Sequence, residues 1–228
     1  RYSGTGDETD EATWITVTPG AYLLHLGNLS PATSLETFAT RTAAAAASIS
    51  SGVTYFMTAG YSAVGDRGDG LYEKVGSEPS HAGKVQSTDG AWWELVPPYR
   101  ITQFGADSSG TNDCSTAFKN ALLATVAVGG GKVIVPRGTY KVSASIQPGT
   151  IAGDIIIEFE GAKLVAATGL HDPVLDLRPS ASAITDYTCR IINPKIDCSA
   201  GTTAVGTDGC TAINAQYYRQ LIIENPDL

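Results

Sequence analysis

The sequence is short of charge, of histidine and methionine, and of long apolar runs. Charged residues are 17% of 228, and 15 Lys and Arg face 23 Asp and Glu, for a net charge of −8. The cations are scattered and form no stripe, which argues against nucleic acid as a partner, because neutralising phosphates needs a basic patch. No apolar stretch approaches the ~20 residues of a membrane-spanning helix, and the N-terminus has no basic segment followed by an apolar one. The chain reads as soluble, with no membrane insertion.

Cysteine is also scarce. Cys114, Cys189, Cys198 and Cys210 form no C-x-x-C pair and the three histidines lie far apart, so no structural metal and no cofactor is expected. Cys198 and Cys210 are spaced either to bridge a loop or to remain as reduced, buried thiols, and the sequence leaves both open.

Glycine and hydrophobic residues, by contrast, are plentiful. A hydrophobic share of 43% with Gly 25 and Pro 11 describes a turn-rich globular chain, and many turns mean many short strands. Residues 1 to 13 are a polar, acidic lead-in. Trp14, Ile15 and Val17 alternate before an apolar run from Tyr22 to Leu26, which predicts a strand pair or an interface segment. Thr33 and Glu36 stand in capping-box spacing before LETFATRTAAAAASIS, predicting a helix over residues 34–49. The run from Ala43 to Ala47 has little bulk, so close packing is expected there, around a symmetry axis.

Strands follow in VTYFMTAGYSAVGDRGDGLYEKV and KVQSTDGAWWELV, broken by Gly-Asp turns. Trp92 and Trp93 resemble sugar-stacking residues, but consecutive strand residues point to opposite faces, so at best one meets solvent. Arg67, Gly68 and Asp69 spell an adhesion tripeptide inside a GDRGDG turn, where a plain turn is the simpler reading. Asp66 and Asp69 fall far short of the roughly 6 to 8 oxygens calcium requires.

After the stiff boundary Pro97, Pro98 and Tyr99, the residues Thr111, Asn112 and Asp113 are placed to cap a helix. Its face carries Ala117, Phe118, Ala121, Leu122 and Thr125, and Gly129 to Gly131 end it. Strands KVIVP and TYKVSASI come next. Beyond residue 150 short apolar strands alternate with polar turns. Ile191, Ile192, Asn193 and Pro194 find an echo in Ile222, Ile223, Asn225 and Pro226 after about 32 residues, a period that signals stacked coils.

The stretch GGGKVIVPRGTY, residues 129–140, is not a phosphate loop. The G-x-x-x-x-G-K-[ST] pattern is broken by Val126 at its first glycine and by Val133 after Lys132. The order is also reversed, since this glycine run closes a helix and opens a strand. Val133 and Val135 should face one way and Ile134 the other, with Lys132 a solvated edge charge.

These residues do match a family. FGADSSGTNDCSTAFKNALLATVAVGGGKVIVPRGTYKV resembles the entry segment of the pectate-lyase-like right-handed β-helix superfamily. Gly105, Ala106, Ala117, Gly130, Gly131, Val133, Pro136, Gly138 and Tyr140 stand where its pattern expects them. Asn112, Asp113 and Cys114 depart from it, where two acidic residues are common. The preceding AGYSAVGDRGDGLYEKVGSEPSHAGKVQSTDGAWWELV is similar to a module found ahead of such β-helices in phage and prophage tailspike proteins.

The resemblance implies paired carboxylates on the β-helix flank or between subunits, working as hydrolase acid and base or as a lyase base. Glu158 and Glu160 share an outward face opposite Ile155, Ile157 and Phe159, where solvation explains them. Asp176 and Asp197 read as turn or cap residues, and His171 as an exposed loop residue. No residue is assigned a catalytic, cofactor-binding or metal-binding role. The chain also stops at ENPDL directly after a strand, which reads as the front end of a longer protein with its enzymatic coils downstream.

The fold class expected is therefore mainly β: a lead-in over 1–29, a small α+β adaptor over 30–98, and over 99–228 the helix-capped start of a right-handed parallel β-helix. As a tailspike, the protein would trimerise, attach to phage tail or baseplate proteins and, through downstream coils, bind and depolymerise a host surface polysaccharide. It would be made in the host cytoplasm and reside in the virion. Two alternatives stand beside this: a separate secreted or cell-associated polysaccharide lyase or hydrolase, and a non-enzymatic structural fibre subunit.

Overall fold

A computed structural model of the chain describes residues 14–15, 24–25, 35–149, 153–178, 185–201, 210–216 and 218–227. It divides into two units, Arg1–Ser34 and Leu35–Leu228. In the first, β1 (Trp14–Ile15) pairs antiparallel with β2 (Leu24–His25), the strand pair that alternation implied. Residues 1–13, Val17, Tyr22 and Thr33 lie outside the described residues.

The second unit begins with a five-stranded sheet. It comprises β3 (Glu36–Phe38), β4 (Tyr55–Thr58), β5 (Gly70–Val75), β6 (Lys84–Gln86) and β7 (Trp92–Leu95), in the order β3-β4-β5-β7-β6. Phe56 is its centre, stacked on Tyr72 at 4.9 Å and edge-on to Phe38 at 5.3 Å and Trp93 at 4.9 Å. Trp93 is fully buried and its indole N–H donates to Ser87 Oγ at 3.0 Å.

The helix expected over 34–49 is replaced by β3 and a short helix, α1 (Arg41–Ala45), with Thr40 as N-cap accepting from the Ala43 N–H. Tertiary pairing overrides helix propensity here: a short helix is marginal alone, whereas β3 gains a parallel partner in β4 and places Phe38 on Phe56. The small alanines are used within the chain, Ala44 fully buried and Ala45 and Ala47 packed on the same core.

From Tyr99 onward the strands stack in parallel. One sheet runs β8 (Tyr99–Arg100), β10 (Gly131–Val135), β12 (Ile155–Phe159), β15 (Thr185–Ile192) and β18 (Tyr218–Glu224). A second contains β9 (Ser109–Asp113), β11 (Gly138–Val142), β13 (Ala162–Ala166) and β16 (Ile196–Asp197), and a third pairs β14 (Leu175–Asp176) with β17 (Ile213–Asn214). Each circuit of the chain therefore adds one strand to each face, which is the construction of a parallel β-helix.

Register turns the alternating sequence into columns. Val133, Ile157, Ile191 and Ile223 are successive partners in the first sheet, and Tyr140, Leu164 and Ile196 in the second. Strand spacing of about 4.8 Å brings like side chains into contact from coil to coil. Val133 and Val135 are buried and Ile134 is not, as alternation required.

Helix α2 (Ser115–Ala127) covers the first coil and buries Ala117, Phe118, Ala121, Leu122, Ala124 and Thr125. Thr111 and Asn112 belong to β9 and do not cap it. Cys114 is the N-cap residue without a side-chain bond, and Asp113 Oδ1 accepts from the Ser115 N–H at 3.2 Å and Oγ–H at 2.6 Å. The helix ends on glycine as expected. Gly129 N–H donates to Val126 O at 3.0 Å and Gly130 N–H to Thr125 O at 2.9 Å, with both glycines at positive φ, a Schellman ending.

Candidate functional site

The GDRGDG turn joins the sheet module to the first coil. Asp66 accepts backbone N–H bonds from Tyr61, Ser62, Ala63 and Gly68 at 2.8–2.9 Å, so its carboxylate is occupied by its own turn. Asp69 pairs with Arg100 at 2.7 Å, Thr102 Oγ donates to Arg67 O at 2.7 Å, and the Arg67 guanidinium donates to the Arg137 carbonyl. The tripeptide is more than a turn. Its charged groups are spent on holding two layers of the protein together.

The tryptophan pair behaves as strand geometry demands. Trp93 is core, whereas Trp92 lines an open cleft of about 460 Å³ with Arg41, Tyr61 and Lys84. The Lys84 ammonium already lies over Trp92 and the Arg41 guanidinium over Tyr61, each 5.6 Å from the ring centre. Arg41 is further fixed by donating to the carbonyls of Ala82 and Lys84. One face of each ring thus already carries a cation.

On the coil flank, residues Lys163, Lys195, Ile196, Asp197, Cys198, Ser199 and Asp227 line a second open cleft, of about 440 Å³. Its charges alternate and pair between coils: Lys163 Nζ meets Asp197 Oδ2 at 2.7 Å, and Lys195 meets Asp227. The first sheet repeats the device, with Lys132 to Glu158 at 2.6 Å and Arg190 to Glu224 at 2.7 Å. Lys132 is therefore not a lone edge charge, and Glu158 is not a free base.

Asp176 and Asp197 have equally definite partners. Asp176 is buried, and Arg178 grips it with Nε at 2.8 Å and Nη2 at 2.6 Å, which holds its carboxyl below the usual range. Asp197 is likewise lowered, first by the hydrogen bond from Lys163 and then by those from Ser199. Glu160 and His171 are exposed. Asp176 and Asp197 each face a cation that lowers them, so neither is poised to take a proton at neutral pH. Among the described residues no group of three His, Cys, Asp or Glu is gathered tightly enough for a metal, and no helix is long and apolar enough to cross a membrane.

Sequence reasoning missed this cross-coil pairing. Its only trace is cation and anion separated by one coil length, which varies from 26 residues for Lys132 and Glu158 to 34 for Lys163 and Asp197.

No family model matches the chain. In sequence, 79 residues, or 35% of the chain, are 33% identical to mannuronan C5-epimerase AlgE4 of Azotobacter vinelandii, covering 14% of that protein. AlgE5 of the same organism is 30% identical over 79 residues, 8% of its length. In structure, the chain is similar to Pantoea stewartii WceF, a glycan biofilm modifying enzyme with a bacteriophage tailspike-like parallel β-helix fold. The TM-score is 0.54 at 14% identity, over 84% of this chain and 30% of WceF. Full-length tailspike protein 2 of an Escherichia coli O157:H7 bacteriophage gives 0.52 at 15% identity, over 90% of this chain and 28% of the tailspike. The chain thus spans less than a third of each of these two solved proteins, and its fold is a parallel β-helix like theirs.

Proposed function

We propose that this chain is the virion-proximal part of a phage tailspike. In this reading residues 1–29 lead in, residues 30–98 form an adaptor, and the coils from residue 99 carry a homotrimeric domain that binds and depolymerises a host surface polysaccharide. The observation that carries the reading is the joint likeness to a full-length tailspike across both the small sheet and the coils, over 90% of the chain. The local similarity to mannuronan epimerases supports a polysaccharide as the ligand class. The cross-coil ion pairs support a scaffold role for these particular coils, with the chemistry of the whole protein placed on other coils.

A second reading has its own support. WceF is a glycan-modifying enzyme with the same fold, so a cell-associated or secreted polysaccharide enzyme is the alternative. The deciding experiment uses the whole gene product on capsular and exopolysaccharides of the host, with reducing ends and unsaturated products as readouts and antibody localisation on purified particles. Product release with particle labelling supports the tailspike. Release without labelling supports the enzyme of a cell, binding without release supports a structural fibre, and no binding rejects all three.

A further inference from the structure

Cys198 stands at the edge of the flank cleft, and Cys210 lies against the turn that follows it. Cys198 directly follows β16 and lines the cleft beside Asp197, and Cys210 lies just before β17. Between Cys198 and Gly201 the chain makes a tight turn, closed by the Gly201 N–H donating to Cys198 O at 2.9 Å. That turn is pressed onto Cys210: a Cβ on Gly201 would sit 2.4 Å from Cys210 Cβ and 2.8 Å from its Sγ. Only glycine permits the approach. Cys198 thus opens the turn whose far end, Gly201, abuts Cys210, and both cysteines pack on the core from its margin.

The other two cysteines differ in kind. Cys114 and Cys189 are fully buried, whereas Cys198 and Cys210 are half-buried and within reach of a small oxidant.

We propose that Cys198 and Cys210 are a disulfide site, whose closure pins the chain leaving β16 to the chain entering β17 and so fixes one wall of the flank cleft. The oxidant is a low-molecular-weight disulfide of the glutathione class. One cysteine thiolate attacks a reagent sulfur and expels one reagent thiolate. The second cysteine, on losing its proton, attacks the mixed disulfide and expels the other. Two protein thiols are oxidised, one S–S bond forms, and the reagent is reduced to two thiols. Burial, then the neighbouring Cys210, pushes the Cys198 thiol up to about 12, which suits it to the second, intramolecular step, where proximity compensates for a small thiolate fraction. The inference does not depend on whether the whole protein cleaves polysaccharide.

The test treats the full chain with oxidised glutathione, alkylates it, and maps cysteines by mass spectrometry without reduction. The expected result is a Cys198–Cys210 crosslinked peptide, with Cys114 and Cys189 alkylated only after unfolding. The crosslinked form should unfold about 5 °C or more higher, and dithiothreitol should reverse the shift. Cys210→Ser should lose both the crosslink and the rise. Recovery of Cys198 and Cys210 as separate thiols or stable mixed disulfides, a crosslink through Cys114 or Cys189, or a crosslink without a rise in midpoint would each overturn the proposal.

Discussion

Asn225 stands directly above Asn193 on the next coil, and its side-chain amide donates to the Asn193 Oδ1 at 3.0 Å. Both residues are left-handed, with φ of 48 and 52, a region that asparagine tolerates far better than most side chains. The turn between the first and second sheets is thus repeated coil on coil, and Asn193 N–H extends the stack by donating to Glu224 O at 2.8 Å.

Asn193→Ala should therefore cost about 2 kcal/mol, by combining left-handed strain with loss of the amide bond. Asn193→Gly should cost about 1 kcal/mol, since only the bond is lost. Urea midpoints measured at unchanged slope check the order.

The two glycines that end α2 should separate strain from collision. A Cβ at Gly129 meets nothing within 4 Å, so Gly129→Ala should cost about 1 kcal/mol from positive φ alone. At Gly130 the added carbon would lie 2.6 Å from the Asp154 carbonyl oxygen, the acceptor for the Gly131 N–H. Gly130→Ala should be the more harmful change, read as a larger drop in thermal midpoint.

Asp107 sets an acid limit on the entry to the first coil. Its carboxylate accepts N–H bonds from Asn112 and Ser109 and a hydroxyl bond from Ser109, which lowers it to about 2. The folded value lies below the unfolded one of about 3.9, so unfolding takes up a proton between them. The stabilisation is complete above about pH 4 and fades as pH falls toward about 2. Asp107→Asn should flatten that part of the stability curve, as measured by urea unfolding at a series of pH values.

The flank ion pairs should be dispensable for chemistry. Asp197→Asn removes the charge from a half-buried pair with Lys163, and pairs that remain open to solvent contribute little. In the whole protein, polysaccharide turnover should stay within about twofold of the parent. A loss of about a hundredfold or more would identify Asp197 as part of the reacting site. Phe159→Ala, which empties a fully packed position, should instead cost about 3–5 kcal/mol.

Much of this architecture was legible in the chain itself. Alternation in GKVIV and IIIEF fixed which side chains point inward, because strand period leaves no other choice. Glycines 129 and 130 marked the helix end, because only glycine enters that conformation cheaply. The repeat of Asn193 and Pro194 at Asn225 and Pro226 announced the coil length. Local signals failed where partners were distant. Helix propensity over residues 34–49 lost to the pairing of β3 with β4, and the roles of Lys132, Glu158 and Asp197 were decided by where their counter-charges stand.

Composition and period, acting locally, determined short alternating strands, stacked coils, a glycine-ended helix and an acidic, turn-rich chain, and the resemblance of residues 104–142 to a known entry segment implied the β-helix. Only the tertiary packing decided that Glu158, Asp197 and Glu224 are tied to cations, that the Arg67 to Asp69 turn is a rivet, and that the turn after Cys198 abuts Cys210. Each of these depends on contacts across a coil or between layers, and separation along the chain carries no rule for which residues will meet there.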